Sequence, residues 1–197
     1  MPYKQDRKFT DAVHDNLAMK IIYPKLHWVI QPLNPKLCKN IDMHNAVDYM
    51  AVDSKTQSIR TIQERFREYK YRNYTDFTIR YERPENPDPG RRQSEFFKLD
   101  ADYFVYGIIN ASKENVDEAT DFVKYAVVDL EKVLGLIESG QIVVDANLQS
   151  YRCQRDGNRM LCPVIRNKDH SSTFVPIDIA ILSRIAPDAN VLQKGFY

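Results

Sequence analysis

Apolar positions recur at helical spacing near the start of the chain and switch to strand spacing after about residue 45. Val13, Leu17 and Ile21, flanked by Ala18, Ile22 and Leu26, repeat every three or four residues and predict one helix over residues 9–26. Thr10 or Asp11 stands at its N-cap, with Phe9 and Val13 placed as a hydrophobic staple. Pro24 predicts an early end or a kink. Pro32, Asn34 and Pro35 make residues 31–40 an irregular connection. Residues 46–52 form an apolar run broken by Asp48, and residues 58–67 alternate, with Ile62 and Phe66 on one face and Thr61, Gln63, Arg65 and Arg67 on the other. The polar stretch 53–57 between them predicts a hairpin. Residues 77–81 are a third strand of the meander, and the proline-rich residues 84–90 a loop.

Residues 102–109 and 122–128 are apolar, β-branched and aromatic, as buried strands are. Residues 129–137 read as a helix capped by Asp129, with Gly140 following its end after Ser139. Short strands follow at 142–144, on both sides of Gly157, and at 173–175, and a helix at 177–184. Asp76 reads as a turn residue at the head of its strand and Asp178 as part of a helix start. This order predicts an α+β fold: a central mixed sheet carrying an N-terminal helix, a three-strand meander and further helices. A single domain over residues 1–197 is expected, with a core at about 9–140 and a small-strand and helix extension at about 141–197.

Composition adds a compartment and a charge pattern. No signal-peptide h-region follows the opening residues and no apolar run is long enough for a membrane helix, so a cytoplasmic protein without a membrane partner is expected. Three cysteines, Cys38, Cys153 and Cys162, are too few for a disulfide framework. Cys153 and Cys162 flank the turn at Gly157 and are expected to approach each other as reduced thiols. The chain has 28 Lys+Arg and 27 Asp+Glu, so its overall charge selects no partner. Between Lys55 and Arg92, however, ten basic residues face six acidic ones, whereas from Gln93 to Asp145 four face eleven. The first of these segments is suited to an anion, or else is a self-compensating surface.

An ionised carboxylate inside an apolar strand loses its water and needs a partner or a metal. Asp48, among Val47, Tyr49, Met50, Ala51 and Val52, is therefore the residue of that run least explained by packing. On the next strand Gln63 and Arg65 share a face, and a hairpin that pairs them near Asp48 would gather three polar side chains. Glu64 falls on the apolar face unless a bulge or altered register presents it beside Asp48.

A helix, an aspartate on one strand and a polar-any-basic triplet on the next resemble the PD-(D/E)XK, or restriction-endonuclease-like, nuclease superfamily, over roughly residues 9–82. Asp48 matches the motif aspartate, Gln63 the second acidic position and Arg65 the lysine; Val47 stands where proline is usual. The resemblance implies a metal-dependent endonuclease hydrolysing DNA phosphodiester bonds, with Mg2+ or Mn2+ held by Asp48, Gln63 and a further carboxylate such as Glu64, Asp53 or one from the first helix. Arg65 cannot be a base, because a guanidinium keeps its proton, but it can neutralise the phosphate in the transition state. Asp11, His14 and Asp15 form one polar patch on a regular helix, and Asp11 and His14 are the candidates for completing the centre. The same residues also suit an N-cap and a solvated surface position. Arg67, Lys70, Arg72 and Arg80, interleaved with Tyr69, Tyr71, Tyr74 and Tyr81, offer cations for phosphates and rings for bases. Competing expectations are a catalytically silent domain of this fold that binds nucleic acid or a protein, and a structural accessory protein. Whether two chains pair as a homodimer to cut both strands stays open.

Overall fold

The computed structural model describes residues 2–31 and 47–197, without the side chains of residues 2–6 and 91. Most of the connection expected at 31–40, the start of the apolar run at Ala46, and Cys38 lie outside the described residues. The chain is α+β. A six-stranded mixed sheet runs in the order β1 (Trp28–Gln31), β2 (Tyr49–Asp53), β3 (Ile59–Arg67), β5 (Tyr103–Ile109), β6 (Phe122–Asp129) and β12 (Asn190–Lys194). Within this sheet, among the described residues, only the β3–β5 pair is parallel. The strand between them in sequence, β4 (Asp76–Arg80), lies in a second sheet of order β10 (Ile165–Arg166), β11 (Thr173–Asp178), β4. A third small sheet joins β7 (Ile142–Asp145), β9 (Arg159–Pro163) and β8 (Gln154–Asp156).

A meander of three strands is present, but its members are β1, β2 and β3. The expected third strand at 77–81 is β4, which pairs with β11 instead of β3. The physical reason lies in its composition: Phe77 and Ile79 are fully buried, with the Phe77 ring centroid 4.7 Å from that of Phe104, so β4 packs face to face beneath the sheet. The β3 edge it leaves is taken by the more apolar β5.

Side-chain alternation divides the buried residues between the two faces of the main sheet. Ile62, Phe66, Val105, Tyr125 and Val127 point to a helical layer supplied by Phe9, Val13, Leu17 and Ile22. Phe104, Tyr106, Ile108, Ala126 and Val128 point to a layer supplied by β4, β9 and β11 and by the helices α4 (Leu130–Glu138) and α5 (Ile179–Ile185). Asp129 caps α4 by accepting from the Lys132 N–H at 3.1 Å, and Asp178 caps α5 by accepting from the Ile181 N–H at 2.8 Å.

The N-terminal helix differs from expectation at both ends. It starts at Pro2, which a first turn tolerates, so Thr10 and Asp11 are interior residues of α1 (Pro2–Val13) and not its cap. A π-helical turn follows at His14–Ala18, then two short turns, α2 (Met19–Ile21) and α3 (Tyr23–Leu26). His14 is buried against the sheet together with Val13, Leu17 and Ala18. Pro24 sits in the first turn of α3, where its missing N–H costs nothing. No described helix is long and apolar enough to cross a membrane.

Candidate functional site

β3 is the strand on which polar side chains concentrate, and its alternation sorts them. Gln63, Arg65 and Arg67 face the β4 layer; Ile62, Glu64 and Phe66 face the helices. A cleft of about 1330 Å³ opens along this strand, bounded by the N-terminal helix, β4, the segment around Glu95 and the start of β11. Its lining carries ten lysines and arginines against seven acidic residues. That excess favours an anionic occupant.

Asp48 stands one residue ahead of β2 and not within it. Its N–H donates to the Ile62 carbonyl at 2.8 Å, and its Oδ2 accepts from the Glu64 N–H at 2.8 Å. The carboxylate thus substitutes for a strand carbonyl where the ladder ends, which satisfies part of the cost of its burial. Since Tyr49 pairs with Ile62, the antiparallel register puts Asp48 opposite Gln63.

Gln63 is buried, and its Nε2 donates to Glu95 Oε1 at 2.7 Å. Its Oε1 is buried without a hydrogen-bond partner. Such an orphaned acceptor is expensive, and an external donor or a cation would satisfy it. Arg65 Nη2 donates to Glu95 Oε1 and Oε2 at 2.8 and 2.7 Å, while Nη1 donates to the Thr78 carbonyl. Arg67 Nη2 donates to Thr78 Oγ1 at 2.9 Å, its guanidinium 5.1 Å from the Tyr71 ring centroid.

Glu95, which nothing in the sequence pattern singles out, organises this group. Burial raises its carboxyl pKa, but the Arg65 charge, the Arg80 N–H and the Arg80 charge outweigh that and hold it below the usual value. It follows a loop and lies thirty residues from Arg65, so no local periodicity links the two.

Glu64 occupies the other face without any bulge in the β2–β3 register. Its side chain is fully buried and accepts from His14 Nδ1, at 2.9 and 3.0 Å from its two oxygens, and from the Tyr23 hydroxyl. The Tyr49 ring stacks on His14, with centroids 3.8 Å apart and planes 5° apart. Burial and the Glu64 charge push the hydroxyl pKa of Tyr23 well up, which keeps it a donor. Tyr23 was hidden in the sequence inside an apolar helical run.

The expected patch of Asp11, His14 and Asp15 is divided. His14 faces inward, Asp15 is exposed, and Asp11 lines the cleft while accepting from Arg7 Nε at 3.0 Å. Asp53 lies at the far end of β2, where its Oδ1 accepts from the Lys55 and Thr56 N–H groups. Lys70, Arg80, Tyr71 and Tyr74 line the cleft. Arg72 instead covers the Tyr69 ring at 4.4 Å and does not line it, and Tyr81 packs against Phe96 and Phe97. Asp76 also lines the cleft, its pKa raised by burial. Cys153 and Cys162 are free thiols with Sγ atoms 3.6 Å apart, as the hairpin at Gly157 predicts.

Among the described residues no group of three or more His, Cys, Asp and Glu side chains is placed to hold a metal. Asp48 and the unpartnered Gln63 amide oxygen are nevertheless two hard oxygen donors on one cleft, compatible with an ion that takes one or two protein ligands and completes its shell with water and substrate. No family model, curated protein or solved structure matches the chain.

Proposed function

We propose that this protein is a magnesium-dependent deoxyribonuclease of restriction-endonuclease-like fold, with Asp48, Gln63 and Arg65 at its centre. The observation that carries the reading is the buried, unpartnered Oε1 of Gln63 on a cation-rich cleft, on the residue opposite Asp48. Asp48 and Gln63 would hold the ion, whose chemistry is to polarise a phosphoryl oxygen and to acidify a bound water.

The chain's own residues account for the rest. Arg65, fixed by Glu95 and Thr78, places an immobile positive charge beside the centre, and preorganised charge of this kind stabilises a phosphorane-like transition state without reorganising. Arg67, Lys70 and Arg80 receive backbone phosphates, while Tyr71 and Tyr74 offer faces for bases. Glu64 acts as a buried support: with His14 and Tyr23 it fixes the β3 peptide whose N–H orients Asp48.

Cleavage of single- or double-stranded DNA with magnesium or manganese is the expected result, and Asp48→Ala should abolish it while the circular-dichroism spectrum stays unchanged. Manganese binding, followed by paramagnetic relaxation, should weaken in Asp48→Ala and in Gln63→Ala. Absence of both cleavage and manganese binding in the wild type would sink the nuclease reading.

One observation favours a second reading. Glu95 engages both Gln63 and Arg65, an arrangement that a purely structural network would also adopt. In that case the same cleft binds nucleic acid without cutting it. DNA affinity would then fall with salt, and Arg67→Ala would reduce the salt slope by about 1 with no cleavage under any metal.

A further inference from the structure

A smaller hollow of about 420 Å³ adjoins the cleft and shares Arg80, Arg83 and Ser172 with it; Glu85, Asn86 and Ser171 complete its lining. All six residues are polar, so a base or another apolar group has little to gain by burial there.

Its hydrogen-bonding groups are unbalanced toward donors. Arg83 is half-buried, and its guanidinium makes no hydrogen bond or ion pair with any described residue. The Asn86 side chain accepts from the Asp88 N–H through Oδ1 at 3.0 Å, leaving its amide N–H groups without an acceptor among the described residues. Ser172 is 5% exposed; its Oγ accepts from Asn167 Nδ2 at 2.6 Å, so its hydroxyl proton remains to be given. The acidic member of the ring, Glu85, is engaged at the rim by Arg166 Nη2 at 2.8 Å. Ser171 gives its proton to Asp169 Oδ1 at 2.8 Å. A half-buried guanidinium, an amide and a hydroxyl, all with unused donors around one hollow, call for a multidentate oxyanion.

We propose that this hollow is a phosphate-binding subsite, occupied by a phosphate group of the nucleic-acid strand that lies in the cleft. The proposal rests on the nucleic-acid reading of the cleft. The turn from Arg83 to Asn86, closed by the Asn86 N–H to the Arg83 carbonyl at 3.0 Å, holds two of the donors together. Arg80 connects the hollow to the centre: its side chain lines the hollow, while its N–H donates at 3.0 Å to Glu95 Oε2, on the carboxylate that grips Gln63 and Arg65. A phosphate held at Arg83 and one held beside Asp48 would therefore belong to the same bound strand. The phosphate is either internal to the strand or a terminal monoester.

The test titrates the full chain with inorganic phosphate, followed by amide chemical shifts, and then with oligodeoxynucleotides of one sequence bearing a 5′-phosphate, a 3′-phosphate or neither. Shifts centred on Arg83, Asn86 and Ser172, and an oligonucleotide affinity about tenfold or more lower in Arg83→Ala, are expected. Arg83→Lys should recover part of the loss, since it restores charge without the fork. Tighter binding of a phosphorylated end, lost in Arg83→Ala, identifies a terminal phosphate; equal binding of all three strands, weakened equally in Arg83→Ala, identifies an internal one. If phosphate moves none of these resonances and Arg83→Ala binds every strand as the wild type does, the subsite is refuted and the reading of the cleft stands. If phosphate binds at Arg83 but no strand binds the protein, the cleft reading fails and the proposal falls with it, leaving a site for a free phosphate. Arg83→Ala removes no side-chain hydrogen bond or ion pair with a described residue, and an unchanged unfolding midpoint verifies that its effects are local.

Discussion

Glu95, partly buried, and Glu64, fully buried, are carboxylates on opposite sides of β3, and they impose different sensitivities. Glu95 sits below the ordinary carboxyl pKa of 4.5 in the folded protein, through Arg65 and the Arg80 N–H acting against burial. A group depressed on folding contributes stability that is complete above the unfolded pKa and is lost as pH falls through the folded one. Wild-type protein should accordingly be more stable than Glu95→Gln by a constant margin above about pH 5.5, and that margin should shrink on acidification below 4.5, as read by urea denaturation across pH. Glu64 presents a different loss, because it accepts from two buried donors at once. Glu64→Leu leaves the Tyr23 hydroxyl and His14 Nδ1 unpaired and should cost about 3 kcal/mol, seen as a lower midpoint with an unchanged denaturant slope. Both predictions concern side chains whose residue type the sequence shows and whose partner it does not.

At the level of elements, the packing of β5 against its neighbours turns on Gly107. A Cβ there would lie 2.5 Å from Phe122 Cε1 and 3.2 Å from Phe66 Cδ1, and those two rings, with centroids 5.6 Å apart, fill the space above the glycine. Phe122 is 1% exposed, enclosed within the core. Gly107→Ala should therefore destabilise by about 1–3 kcal/mol, and the loss should be smaller in a Phe122→Leu background, where the ring is absent. A double-mutant cycle from thermal or urea unfolding measures that coupling. The N-terminal helical segment is the other element with consequences: His14 and Ala18, four residues apart, share the buried side with Val13 and Leu17, and His14 supplies Glu64 with a donor. Helical periodicity located this segment, but it could not distinguish 3.6 residues per turn from a single wider turn, because both keep Val13 and Leu17 on one side.

Over the whole molecule, the order of strands decides where the cleft lies. Because β4 packs beneath the sheet, Thr78 and the segment around Glu95 come under β3, and Gln63, Arg65 and Arg67 become walls of a cleft instead of a solvent-facing row. The C-terminal strand completes the same sheet: β12 covers the β6 edge, and Phe196 is 2% exposed within the core beside Tyr106. A chain ending at Ala189 should bare that edge and open the core, lowering the unfolding temperature and promoting association, measurable by calorimetry and light scattering. The sequence by itself determined the α+β class, most strand and helix positions after residue 46, the helix caps at Asp129 and Asp178, the approach of Cys153 to Cys162, and the face shared by Gln63 and Arg65. These follow from periodicity and local capping, which act over a few residues. Only the tertiary structure decided the parallel β3–β5 pairing, the inward turn of His14, the Tyr23–Glu64–His14 cluster and the role of Glu95. Each of these joins residues far apart in the chain, and the choice among partners is made by which apolar faces can be buried together, a property of the assembled layers that no local window contains.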